Sequence, residues 1–213
     1  APSLGLHESQ SRFYENVIGR SLPFWEHYLP IAREFFPGQL DGVDAMAMQR
    51  AVCRVARTPI RVESDEVTYN LHILLRFELE VELIEERVAV ADLPEAWNAR
   101  MEQYLGYTPK DDVEGVMQDV HWSEGLFGYF PTYTLGNLYS AAIRDAMAKD
   151  LAIDDLVRAG EFAPILAWLR ERIHAVGAVP LGEDLMREVT GEPLQIDSFM
   201  AYLEQKYGAL YGV

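Results

Sequence analysis

Cysteine is nearly absent. Cys53 is the only one in 213 residues, so an internal disulfide and a thiolate zinc cluster are both excluded. A reducing, cytoplasmic setting fits such a chain. Positive charge is also scarce, with 18 Lys and Arg against 34 Asp and Glu and a net charge of −16. So acidic a chain is poorly suited to nucleic acid, whose binding rests on cations neutralising phosphates. It is equally poorly suited to anionic membrane surfaces. No apolar run approaches the roughly 18 residues of a membrane span. The opening residues, APSLGLHES, lack the basic and apolar segments of a signal peptide and a starting Met. A processed product or a piece of something longer is expected. No internal repeat, low-complexity tract or flexible linker interrupts the chain.

What remains is ordinary globular composition, 49% apolar and 24% charged, in a chain long enough to bury a real core. Helical periodicity dominates. Phe162, Ile165, Leu166, Leu169 and Ile173 form one amphipathic stripe. Phe199, Tyr202 and Leu203 form another, with Asp197 read as its cap. Ser21 to Phe36 reads as a helix capped by Ser21 with Pro23 in its first turn, and Asp44 to Arg54 as a second. Glu63 to Ile84 reads as one long helix buried on several sides. Asp92-Leu-Pro-Glu95 has the form of a capped start. Tyr133 to Leu151 is helical, and Leu181 to Val189 is a short helix closed by Thr190-Gly191. The expected fold is all-α, a single domain over 1–213 with roughly eight to ten helices.

The chemistry-bearing residues are few. None of the five histidines (His7, His27, His72, His121, His174) has another four residues on, so the H-E-x-x-H zinc motif is absent. His7-Glu8 begins that motif, but Ser11 stands where its second histidine would be. Three other stretches stand out: Ile60-Arg-Val-Glu-Ser-Asp65, Gly115-Val-Met-Gln-Asp-Val-His-Trp122, and the Gly/aromatic run Ser123 to Asn137. Taken singly, each reads as structure. His7-Glu8 would be a surface or capping pair, and Arg61 an ion pair with Asp65 or Glu66. His121 would be a bonded core histidine beside a packed indole, and the Gly/aromatic run would be packing.

Taken together and in order, these stretches resemble the thermostable (Taq-type) zinc metallocarboxypeptidases. That family carries H-E-S-Q, present as His7 to Gln10. It carries I-R-x-x-A-D, present as Ile60 to Asp65 with Ser64 in place of Ala, and G-x-x-Q-D-x-H-W, matched without departure by Gly115 to Trp122. The likeness covers essentially the whole chain. Two family motifs, H-E-x-x-H and D-x-R-x-T, are absent and belong upstream. The resemblance therefore implies the C-terminal half of a larger, mainly helical catalytic domain.

The resemblance also implies roles. Glu8 is the third metal ligand, to zinc with cobalt as the alternative, beside two histidines outside this chain. Arg61 holds the free carboxylate of a peptide substrate. His121 and Tyr133 stabilise the oxyanion. Asp65, Gln118 and Asp119 orient these groups, Trp122 and Tyr129 shape the wall, and Ser64 adds one hydrogen bond near Arg61. The intact enzyme is implied to be a homodimer. The chain alone is expected to be inactive, to hold no metal, and to associate or expose an apolar cleft. The competing reading is a free-standing helical interaction domain that has lost catalysis.

Overall fold

A computed structural model describes residues 2–213. Ten α-helices and no strand make up the described residues. The chain divides into two compact units: one takes in everything up to Cys53 together with Leu135–Val213, the other is Arg54–Thr134.

The first unit opens with α1, Leu4–Arg12, whose start is capped by Ser3 Oγ accepting from Leu6 N at 3.0 Å. The helix runs unbroken into a π-helical stretch, Phe13–Gly19. A π turn is wider than an α turn and disturbs the ladder of main-chain bonds. The Asn16 carbonyl, within that stretch, accepts from Tyr202 Oη at 3.1 Å and Lys206 Nζ at 3.0 Å. Helix α2, Leu22–Phe35, starts after the expected cap Ser21, while α3, Ala45–Val52, is capped by Asp44, which the sequence places inside the helix. The Ser21 and Asp44 side chains accept from Phe24 N and Ala47 N. Helix α6, Pro131–Met147, is followed by α7, Ile153–Ala159, and α8, Ala163–Leu169, which continues as a second π stretch, Arg170–His174. The unit closes with α9, Gly182–Thr190, and α10, Asp197–Tyr211. Phe13, Ile143, Met147, Ile165 and Leu169 are wholly buried at its centre, each contributing roughly 1.5–3 kcal/mol of transfer free energy.

The second unit is built on α4, Tyr69–Ile84, and α5, Leu93–Leu105, with Leu75, Leu79, Trp97, Met101 and Leu105 buried between them. A smaller cluster of Tyr69, Ile73 and Phe130 lies beside it. The outer stripe of α4 leaves Leu74, Phe77 and Ile84 exposed, so this helix is less enclosed than its apolar sequence suggests.

Several boundaries differ from the sequence reading. The long helix starts at Tyr69, not Glu63: Arg61–Glu63 is a 3₁₀ turn, and the intervening residues are held off helical geometry by Asp65. Asp92 makes no side-chain cap, because it ends a 3₁₀ turn, Val90–Asp92, that leads straight into α5. Asp197 lies inside the first turn of α10 rather than at its cap, where an acid still favours the positive end of the helix dipole. The helix read to Leu151 stops at Met147.

Candidate functional site

Within the second unit, Arg61 sits in the 3₁₀ turn just ahead of α4, and its guanidinium is buried. Nε and Nη2 donate to Asp119 Oδ1 at 3.1 and 2.6 Å, and Nη1 donates to Tyr69 Oη at 2.9 Å. Three of its five N–H groups are thus committed. Its plane lies 4.8 Å from the Tyr133 ring centroid. Asp119 has a second cation on its other oxygen: Arg76, from α4, brings Nε to 2.7 Å and Nη2 to 2.6 Å of Oδ2. Arg76 is completely buried, with its guanidinium 4.5 Å from the Trp97 ring. Burial works against the Asp119 charge, but the hydrogen bond from Arg61 and the nearness of both guanidiniums outweigh it and hold the carboxyl below its ordinary range. Burial also draws Arg76 down to about 10, still protonated at neutral pH.

Arg61 is therefore paired with Asp119, not with Asp65 or Glu66. Asp65 does not orient an arginine or a histidine directly. Its carboxylate accepts from the main chain of Val67, Thr68 and Ala56 and from the Thr68 hydroxyl, which folds the turn that presents Arg61. Gln118 acts on the backbone: Oε1 accepts from Arg61 N at 2.9 Å, while Nε2 donates to Pro59 O and Glu114 O. Ser64 Oγ donates to Arg61 O at 2.7 Å, the added bond expected there.

His121 and Tyr133, twelve residues apart, meet: Nε2 and Oη share a hydrogen bond of 2.9 Å. Among the described residues His121 Nδ1 has no hydrogen-bond partner, and Asp119 Oδ1 is 3.9 Å away. Burial lowers the His121 pKa, with the Asp119 charge opposing and both arginines assisting, so the ring is neutral at pH 7. The imidazole packs 4.3 Å from Phe130 and 5.5 Å from Tyr129. The loop between them is tied down by Glu80 of α4, which accepts from Trp122 Nε1 at 2.9 Å and Gly128 N at 3.1 Å. Trp122 packs against Phe127 and Phe130, and Tyr129 against His121 and Tyr133.

Sequence reasoning missed Arg76, His72 and Glu80. One signal was available: they recur every four residues along α4, and all three face inward. His72 is fully buried, and among the described residues neither ring nitrogen has a hydrogen-bond partner. Burial first, then Arg76 and Arg61, push its pKa down to about 3, against an unfolded value near 6.5. The unfolded chain thus takes up a proton that the folded chain refuses. His72 contributes full stability above about pH 6.5 and loses it as the pH falls toward 3, with a slope of at most about 1.4 kcal/mol per pH unit. Replacing His72→Leu is expected to flatten this acid limb, as read by urea unfolding at pH 4.5 and 7.5. An unchanged difference between the two pH values would show that His72 titrates normally.

Glu8 belongs to the first unit. It lies one turn into α1, with its side chain 21% exposed. Oε1 accepts from Arg12 Nε at 3.0 Å, and among the described residues Oε2 makes no hydrogen bond. One open carboxylate oxygen suits a hard or borderline cation. Among the described residues, no three His, Cys, Asp or Glu side chains gather where they could hold an ion. The arrangement fits one ligand of a metal centre, not a complete set. His7, its neighbour, is exposed.

Comparison with known proteins gives a consistent answer. Residues 1–207 match the sequence profile of the carboxypeptidase Taq (M32) metallopeptidase family. The chain is 53% identical over its whole length to thermostable carboxypeptidase 1 of Thermus thermophilus, of which it covers 42%. It is 44% identical over 98% of its length to carboxypeptidase 1 of Bacillus subtilis, again covering 42%. The fold superposes on the crystal structure of an M32 carboxypeptidase from Deinococcus radiodurans with a TM-score of 0.95 and 44% identity. That match covers 99% of this chain and 43% of the other. The chain thus spans about two fifths of the length of the relatives it matches.

Proposed function

Because this chain belongs to the carboxypeptidase Taq (M32) metallopeptidase family, we propose that it supplies the substrate-handling groups and one metal ligand of a metallocarboxypeptidase. The metal is zinc, with cobalt as the alternative, and the substrate is a peptide with a free C-terminus. Glu8 is the ligand, and the remaining ligands come from outside these 213 residues. The chemistry such a metal supplies is a water-derived nucleophile at neutral pH.

The carrying observation is the neutral His121–Tyr133 pair beside a guanidinium locked by Asp119. Arg61 keeps one N–H on each Nη beyond its three bonds, enough to receive a carboxylate oxygen. Its orientation is set in advance by Asp119, Tyr69 and Gln118, so little freedom is lost on binding. Tyr133 Oη is a donor for the negative charge that develops on the attacked carbonyl oxygen. His121, uncharged, hydrogen-bonds the phenol and fixes its direction. An interaction domain that had abandoned catalysis would have no use for this combination. Homodimerisation of the intact protein is part of the same proposal.

Release of the C-terminal amino acid from a blocked dipeptide tests the reading. The full-length protein containing this chain is expected to turn over, and the 213-residue chain alone is not. Glu8→Gln in the full-length protein is expected to lose its metal on dialysis. Turnover by the isolated chain, or a Glu8→Gln protein that retains metal and rate, would overturn it.

A further inference from the structure

The first unit contains an unusually close helix crossing at Glu8. A methyl group added at Gly136, on α6, would stand 2.7 Å from Glu8 Cγ, 2.9 Å from its Cβ and 3.1 Å from its carbonyl carbon. Carbon atoms do not approach so closely, so the absence of a side chain at 136 is what lets the Glu8 stem lie flat on α6. On the α1 side of the same crossing, a methyl at Gly5 would stand 2.8 Å from Leu135 Cβ. Gly5 and Gly136 are both buried. The two glycines bring the helices together, but only Gly136 touches Glu8. At the other end of the side chain, Arg12 Nε holds Oε1 at 3.0 Å. Arg12 also reaches Glu15 Oε2 at 3.4 Å, and Glu15 Oε1 is held by Arg20 at 2.7 Å, so the guanidinium is itself anchored.

A glutamate has three rotatable bonds and, left exposed, samples many directions. Here the stem is fixed from one side and the head from the other, leaving Oε2 without a hydrogen bond among the described residues. We propose that Gly136 and Arg12 are positioning residues that hold Glu8 in a single metal-ready conformation before the metal arrives. The inference rests on the reading of Glu8 as a ligand. Groups that orient a ligand without touching the metal commonly govern its affinity.

The test is zinc affinity of the full-length protein, by competition with a chromophoric chelator at fixed pH, with thermal unfolding of each apoprotein alongside. Gly136→Ala and Arg12→Gln are each expected to weaken zinc about 10- to 100-fold. Gly5→Ala, an added methyl at the same crossing but away from Glu8, is expected to lower the melting temperature and leave zinc affinity in place. If Gly136→Ala fails to fold, Arg12→Gln decides the question. Either variant, folded and binding zinc as tightly as wild type, overturns the inference, as does a Gly5→Ala protein that loses zinc equally. Glu8→Gln separates the two levels: if it too binds zinc like wild type, the ligand reading falls rather than the positioning.

Discussion

Asp119→Ala is expected to cost about 3–5 kcal/mol of folding stability, the usual penalty for stranding buried charge. Its side chain is 9% exposed and it accepts from two guanidiniums that are buried in turn. Removing it leaves Arg61 and Arg76 facing each other without an anion. Arg76 has no route to solvent, and away from Asp119 its Nη1 donates to His72 O at 2.7 Å. The loss should be largely shared with Arg76. A double variant, Asp119→Ala with Arg76→Met, removes one of the two stranded charges and is expected to be less unstable than the sum of the single changes. The pH dependence has a definite sign. The Asp119 pKa is depressed in the folded state, so its contribution is complete above the ordinary carboxylate value near 3.9 and is lost as pH falls through the lower folded value. Urea unfolding of the 213-residue chain, followed by the fluorescence of Trp97 and Trp122 with Trp25 and Trp168 replaced by Phe, reads the second unit alone. A cost under about 1 kcal/mol, the level of an exposed ion pair, would contradict the buried network.

Tyr133→Phe is expected to lower kcat of the full-length protein by about 10²–10³, the effect of removing one oxyanion donor, with little change in KM. The substitution removes only the hydroxyl. The ring keeps its place under Arg61 and its edge contacts with His121 and Tyr69. The lost hydrogen bond to His121 is worth about 0.5–1.5 kcal/mol, so folding should be nearly intact. A purely structural tyrosine would show the opposite pattern: a lower melting temperature and an unchanged kcat. His121→Gln, which keeps a donor and an acceptor near Tyr133, should restore part of what His121→Ala loses if the imidazole only orients the phenol.

The legible parts of the fold were those governed by local rules. Ser21 caps where expected because a short oxygen-bearing side chain before an apolar stripe has one cheap use, and Asp44, which reads as the first residue of its helix, serves that same use one position earlier. Asp92 and Asp197 carried the same signal and did not cap, because a 3₁₀ turn or an earlier helix start had already settled those ends. The start of α4 was misread for a related reason. Asp65 looked like a helix residue, but its carboxylate gathers four donors and stabilises the turn before the helix. The two π stretches have no signature in a 3.6-residue period, so the stripe from Phe162 to Ile173 read as uniform helix. At the site, the motif Gly115 to Trp122 pointed to His121 and Asp119, but nothing local shows that one Asp119 oxygen serves Arg61 and the other Arg76. Pairs 43 and 58 residues apart are set by tertiary packing.

The π stretch after α1 has a consequence for how the protein is made. The Asn16 carbonyl it presents is held by Tyr202, 186 residues later, and by Lys206. The first unit is also split around the second, which is one continuous segment. During synthesis the second unit can complete its own core as soon as it emerges. The segment carrying Glu8 must wait, its wide turn unlatched, until α10 has been translated. At 5–20 residues per second that wait is on the order of ten seconds or more. For that interval Phe13, Val17 and Ile18 have no finished core to enter, and the nascent chain's need for a chaperone should be greatest at this segment.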